Sequence, residues 1–335
     1  MPELRKDYVT DTWVVFSTSR SQRPIEMRKR SPRPTTSSPC PFCPGNEHMT
    51  PPEILAYRSN GEVNGPGWWI RCVPNKYPAL IIEGEVKRRV SQLFHSVNGV
   101  GAHEVIVETP DHFGNFPSLD EKHIYEVICA YRERYVDLTK DARFKYILIF
   151  KNHGPEAGAS LAHPHSQLIA TPIIPRRIMD ELRASRNFYE ETGGSCIYDE
   201  IVEEEMEASE RVVAENEAFL ALCPYASRFP FEVWILPKEH EVHFEDMVYE
   251  EMRTLAHVLK DTFARLDGLL NDPPFNFYIH TAPCDRKDHR YYHWHMEITP
   301  RLSNTAGFER GTGFYINSVP PEDAARLLRE ASENV

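Results

Sequence analysis

His163-Pro164-His165-Ser166-Gln167 runs directly into Leu168-Ile169-Ala170-Thr171, and the run stops at Pro172. Along an extended chain, alternation puts His163, His165 and Gln167 on one face. Three polar side chains in a row on one face are costly to bury unless they have partners. A second His-x-His stands at His293-Trp294-His295, and its strand-like stretch also ends at a proline, Pro300. The two motifs lie 130 residues apart, and their surroundings keep nearly the same spacing. His112 and His240 are 128 residues apart, and each follows a strand-like run and a proline. Asn152 and His280, each at the end of an apolar strand, are also 128 apart. The chain reads as an internal duplication of two α+β halves, residues 1–183 and 195–335.

The elements around the motifs agree with this. Strands are predicted at 13–16, 68–72, 103–108, 146–150 and 167–171, then at 231–236, 275–279 and 292–299. Helices are predicted over 119–140, 177–191, 249–270 and 321–330, the second closed by Gly193-Gly194. Antiparallel hairpins, with few Gly-rich strand-to-helix turns, argue against a doubly wound parallel sheet.

Composition narrows the function. The chain has 335 residues, and 41% are hydrophobic, enough for a packed core. Lys+Arg number 38 and Asp+Glu 50, a net charge of −12, which disfavours a broad nucleic-acid surface. No apolar run reaches the ~18–20 residues of a membrane span, and Met1–Asp7 is not a secretory signal. A soluble cytoplasmic protein is expected. Seven cysteines, an odd number, do not make a disulfide scaffold.

Cys40-Pro41-Phe42-Cys43 is the one close cysteine pair. It sits beside a Pro/Ser-rich loop rather than at a helix start, which favours metal binding over redox chemistry. Two thiolates holding Zn²⁺ need two further N or S ligands, and His112 and His163 are candidates. Upstream of the first His-x-His, Asn152 and the loop Gly154 to Ser160 can turn backbone N–H groups toward a phosphate. Neutral imidazole is a competent nucleophile toward phosphorus.

These residues resemble the galactose-1-phosphate uridylyltransferases, the nucleotidyl-transfer branch of the histidine-triad superfamily. The resemblance extends beyond His163-Pro164-His165-Ser166-Gln167. It takes in Arg20-x-x-Arg23-Pro24, Cys40-x-x-Cys43, Asn75 to Leu80, Asn152, Gly158-Ala159-Ser160 and Gly307-Phe308-Glu309. It implies two histidine-triad-like halves, an antiparallel half-barrel sheet with flanking helices, and a homodimer acting on a nucleotide sugar and a sugar phosphate.

The resemblance also implies roles. His165 would attack the α-phosphorus of UDP-glucose and carry the uridylyl group to galactose 1-phosphate. Gln167 would donate to an α-phosphate oxygen, and Ser160 with Gly158 and Ala159 would hold the β-phosphate. Arg20 and Arg23 would offset charge, a turn that in family members can reach across the dimer. Asn75, Lys76 and Asn152 would contact nucleotide or sugar, and Phe308 and Glu309 would close over the hexose. A structural zinc would sit on Cys40, Cys43, His112 and His163. For a second metal, the duplication offers Cys196, Asp199, His240 and His293. Other relatives use a Glu and three histidines, here Glu181, His280, His293 and His295. The two sets share His293.

In the second half Trp294 and Glu297 replace Pro164 and Gln167, so that half is expected to be non-catalytic. An ADP-glucose phosphorylase-type enzyme, with inorganic phosphate as acceptor, is the close alternative. In many uridylyltransferases a Gln lies six residues after the Glu; here that place is Tyr315. A nucleotide hydrolase of the superfamily usually has a third His where Gln167 stands, and Gln cannot donate a proton to a leaving group. A zinc-binding interaction module would leave Gln167 and Ser160 without a purpose.

Overall fold

The computed structural model of the protein describes residues 2–22, 39–285 and 287–332. Its first half contains strands β1 (Glu3–Asp7), β2 (Thr12–Phe16), β3 (Leu55–Arg58), β4 (Trp68–Pro74), β5 (Arg88–Val90), β6 (His95–Val97) and β7 (Ala102–Val107). Helix α1 (Glu121–Thr139), β8 (Tyr146–His153) and β9 (His165–Thr171) complete it. Helices α2 (Arg176–Thr192) and α3 (Ile197–Ala208) lead into β10 (Val212–Glu215), β11 (Phe219–Leu222) and β12 (Val233–Pro237). Then come α4 (Tyr249–Leu270), β13 (Phe275–His280), β14 (His295–Pro300), α5 (Gly307–Thr312), β15 (Tyr315–Asn317) and α6 (Pro321–Ser332).

Ten strands form one sheet in the order β10-β11-β12-β14-β13-β8-β9-β7-β4-β3. Every neighbouring pair in it is antiparallel. Each half supplies five strands, and in both the fifth inserts between the third and the fourth. The halves meet where their fourth strands pair, with Asn152 opposite Asn276 and Ile149 opposite Ile279. The duplication read from the histidine spacing is therefore the topology of the sheet.

Helices α1 and α4 follow the third strand of each half and pack on each other over one face. In α1, Ile124, Val127, Ile128, Tyr131, Tyr135 and Leu138 form the buried stripe. The Asp120 side chain accepts from the His123 N–H at 2.7 Å and caps the helix. The cap is worth about 1 kcal/mol and each buried apolar side chain about 1.5–3 kcal/mol, so the stripe holds the helix in place.

The two halves differ on the opposite face. Over the second half, α2 and α3 pack Ile178, Leu182, Ile197, Tyr198 and Val202 on Leu220, Leu222, Trp234 and Leu236. Over the first half, the loop carrying Cys40 and Phe42 packs on Trp68, Val73, Val105 and Val107. A loop leaves room for a pocket where two helices do not.

Helix α4 keeps its predicted bounds, whereas β14 starts at His295 rather than residue 292. The Trp294 N–H turns out of the ladder to the Glu241 carbonyl, at 2.9 Å. A separate sheet joins the chain ends in the order β1-β2-β15, with β15 parallel to β2. Among the described residues no helix is long and apolar enough to cross a membrane. All seven cysteines are free.

Candidate active site and metal-ligand clusters

Strand β9 puts His165 and Gln167 on the face under the Cys40 loop, opposite Val107 and Val105 of β7. His165 is buried, and its Nδ1–H donates to the His163 carbonyl at 2.8 Å. The donated proton fixes the tautomer, so Nε2 keeps its lone pair. Burial pushes the His165 pKa below the usual imidazole value, and the ring stays neutral. The Phe42 ring lies against it, centroids 5.2 Å apart.

The strand is anchored from the far face. Ser166 and Tyr131 hydrogen-bond to Glu108, which is ion-paired with Lys151. Burial alone would raise the Glu108 pKa, but the Lys151 charge and these hydrogen bonds hold it below the usual carboxylate value. Nothing in the local sequence signals this network, because its members come from the residue after β7 and from α1, β8 and β9.

A cavity of about 490 Å³ opens in front of His165. Asn75, Lys76, Ser160, His165 and Gln167 line it, together with Phe42, Thr50, Val73, Val105 and Tyr77, which sequence reasoning did not assign to the site. Alternation could have found Val105, which lies opposite Gln167 in the ladder. Asn152 stands one ladder step beyond the Lys151–Ser166 pair, beside His165. Its side chain accepts from Asn276, which also donates to the Ala157 carbonyl, so the Gly154–Ser160 loop is tied to β13. Gly158 sits in that loop at φ +90, a conformation that glycine adopts without strain.

Asn152, Gly158, Ala159, Arg20, Phe308 and Glu309 do not line this cavity within one chain. Glu309 caps its own helix by accepting from the Ala306 N–H at 3.0 Å. Arg23 lies outside the described residues.

Cys40, Cys43, His112 and His163 form a group whose ligand atoms all lie within 4.8 Å of one another. Both histidines turn Nδ1 to Cys43 Sγ, His112 at 3.3 Å and His163 at 3.6 Å. The other nitrogen of His163 donates to the Thr109 carbonyl at 2.8 Å, an outer-sphere bond that leaves Nδ1 bare. Burial pushes His163 down to about 4, so the ring is neutral, as a ligand must be. Burial, then Cys40, push the Cys43 thiol up, a cost that a bound cation removes. The donor set fits a metal.

The second half copies this arrangement. His240 and His293 turn Nδ1 to Asp199 at 2.9 Å each. Their ring centroids are 5.5 Å apart at 85°, against 5.3 Å and 87° for His112 and His163. Cys196, Asp199 and His240 form a second close group.

Glu181, His280, His295 and Glu297 form a third. The sequence left His293 shared between two sets; in the structure its Nδ1 faces Asp199 and His295 goes with Glu181. The third group is already charge-compensated. Arg177 pairs with Glu181 at 3.0 Å and Glu297 at 2.8 Å, and Arg228 pairs with Glu297 at 2.5 Å and Glu232 at 2.6 Å. Burial alone would raise the Glu297 pKa, but the two guanidinium groups hold it well below the carboxylate range.

Two family descriptions match the chain. Residues 1–175 match the galactose-1-phosphate uridyl transferase N-terminal domain, and residues 181–316 match its C-terminal domain. The chain belongs to this family. It is similar to the galactose-1-phosphate uridylyltransferase of Thermotoga maritima, at 35% identity over 100% of both chains. It is equally similar to the ADP-glucose phosphorylase of Arabidopsis thaliana, at 36% identity over 99% of this chain and 93% of that one. The crystal structure of an Arabidopsis thaliana ADP-glucose phosphorylase with bound ADP-glucose matches with a TM-score of 0.84 and 35% identity, covering 98% of each chain. As a family member the chain is a transferase.

Proposed function

We propose that the protein transfers UMP from UDP-glucose to galactose 1-phosphate through a covalent uridylyl-histidine on His165. The supporting observation is the His165 Nδ1–H bond to the His163 carbonyl, which leaves Nε2 bare beside a cavity shared with Gln167 and Ser160. The Nε2 lone pair attacks the α-phosphorus, the bond from phosphorus to the bridging oxygen breaks, and glucose 1-phosphate departs with that oxygen. A phosphate oxygen of galactose 1-phosphate then attacks the same phosphorus, the N–P bond breaks, and UDP-galactose leaves. Neither step needs a proton, because the imidazole is neutral and the acceptor is an anion.

Gln167 steadies the charge developing on the α-phosphate. Ser160, Gly158 and Ala159 hold the departing β-phosphate, and Asn75, Lys76 and Asn152 hold nucleotide and sugar. Arg20 and Arg23 offset charge, on a turn that reaches across a homodimer, and Phe308 and Glu309 close over the hexose. The first half does the chemistry. Seven free cysteines fit a cytoplasmic location.

Intact-mass measurement after incubation with UDP-glucose, without acceptor, tests the reading. One added uridylyl group on His165 is expected. The second reading, adenylyl transfer from ADP-glucose to inorganic phosphate, has the Arabidopsis relative on its side, and Tyr315, where many uridylyltransferases carry a Gln, leaves the acceptor open. Labelling only by ADP-glucose would replace the first reading with this one.

The Cys40, Cys43, His112 and His163 set is assigned to Zn²⁺, a structural ion because four protein ligands leave no open position. A second zinc is assigned to Cys196, Asp199, His240 and His293. A carboxylate in place of a thiolate makes that site weaker and more pH-sensitive. The competing set would bring a cation against Arg177 and Arg228. Cys196→Ala should therefore remove the second metal and Glu181→Ala should keep it, as read by elemental analysis. The reverse result transfers the metal to Glu181, His280 and His295.

A further inference from the structure

We propose that His103 is a positioning residue that fixes which end of the Gln167 amide faces the substrate. The inference rests on the nucleotidyl-transfer reading of the site. His103 lies on β7, on the same sheet face as Gln167, and does not line the cavity.

Its ring has three polar neighbours. Nδ1 is 3.1 Å from the Ala79 backbone nitrogen, whose N–H donates to it. An accepting Nδ1 is unprotonated, so the proton of the neutral ring is on Nε2. Nε2 lies 2.8 Å from Gln167 Oε1 and 3.1 Å from Asn75 Nδ2. It therefore donates to Gln167 Oε1. A flipped Gln167 would set its NH₂ against this N–H, donor against donor. Asn75 cannot flip to become the acceptor instead, because its Oδ1 already accepts from the Tyr77 N–H at 2.9 Å. With Oε1 held behind it, Gln167 presents its two N–H donors to the cavity, as an anionic α-phosphate requires. The Asn75 amide nitrogen, 3.1 Å from the same Nε2, makes no hydrogen bond to it in this tautomer.

The sequence supports this placement of His103. Gly101 stands two residues before it, and a Cβ there would meet the Ala170 carbonyl and lie 2.7 Å from Leu80 Cδ1. Glycine lets the Asn75–Leu80 segment settle onto β7, which brings the Ala79 N–H to His103. One imidazole thus couples a nucleotide-facing loop to the amide beside the nucleophile.

The test is single-turnover labelling of His165 by UDP-glucose or ADP-glucose, whichever labels the wild type. His103→Phe keeps a ring and deletes both nitrogens. It should slow labelling about 10-fold or more, with the half-saturating donor concentration changed less than about threefold. His103→Gln, whose amide can donate to Gln167, should recover most of the rate. In a Gln167→Leu background, His103→Phe should cost less than about twofold, since no amide remains to orient. Wild-type labelling rates in His103→Phe, or the same loss with and without Gln167, would overturn the proposal. If His103→Phe does not fold, His103→Leu, which also lacks both nitrogens, is compared in the two backgrounds instead: equal losses with and without Gln167 reject the proposal. No labelling of the wild type by either nucleotide sugar overturns both the transfer reading and the proposal. Wild-type labelling that His103 substitution leaves unchanged overturns the positioning role alone.

Discussion

His165→Gly is expected to lower nucleotidyl transfer roughly 10⁵-fold or more, as loss of a covalent nucleophile does, while the protein stays folded. That factor corresponds to about 7 kcal/mol of barrier. The structural cost is much smaller. The variant loses one hydrogen bond, from Nδ1–H to the His163 carbonyl. A neutral hydrogen bond is worth about 1 kcal/mol, and glycine in a strand costs roughly another 1 kcal/mol. The Ser166 and Tyr131 contacts to Glu108 on the other face remain and keep β9 in register. Intact mass should show no nucleotide on the variant, and circular dichroism should show native structure. Near-wild-type turnover in the purified variant would make a covalent histidine intermediate wrong.

The spacing of a few histidines made much of the fold legible. His112 and His240, Asn152 and His280, and the two His-x-His motifs mark the third, fourth and fifth strands of each half. Those strands therefore had counterparts to check against. The short strands β3, β10 and β11 had none, and at four residues each they carry little periodicity. The β2–β15 pairing joins residues about 300 apart, so no local pattern announces it. Helix α3 had a signal, since Ile197, Tyr198, Ile201 and Val202 recur at helical spacing, but Glu203-Glu204-Glu205 gave the segment a polar look.

At the site, chemistry-bearing motifs were readable because few residue types perform phosphorus chemistry or hold zinc. Residues acting through another residue were not. His103 reads as one polar position in an alternating strand until Ala79 and Gln167 are brought to its two nitrogens. Lys151 reads as a charge ending an apolar strand until Glu108 faces it. Phe308 and Glu309 were legible as a motif, but their distance from the cavity in one chain depends on a tertiary arrangement that no motif encodes.

The second large effect is expected from Cys43→Ser, and it should reach the chemistry as well as the stability. Structural zinc in small peptides binds with on the order of 10 kcal/mol. Here the fold has its own core, so only part of that should appear as lost stability, still several kcal/mol. The effect on catalysis follows from His163. Its Nδ1 faces Cys43, its Nε2–H donates to Thr109, and its backbone carbonyl holds the Nδ1–H of His165. A metal on the His163 ring therefore fixes the residue whose carbonyl sets the tautomer and direction of the nucleophile. Weakening that support should slow His165 labelling roughly 10–100-fold at temperatures where the variant is still folded, a range typical of second-shell losses. Elemental analysis should find one zinc fewer, and heating should unfold the variant earlier. A stable variant that keeps its zinc and its labelling rate would leave His163 held by Thr109 alone. Absence of zinc from freshly purified, unchelated wild type would reject the zinc assignment. The copy in the second half supplies the control. Asp199→Ser removes the equivalent ligand from a half whose histidine lies beside Glu297 rather than Gln167. It should lower stability and leave the rate of His165 labelling within about twofold of wild type, because no nucleophile depends on His293.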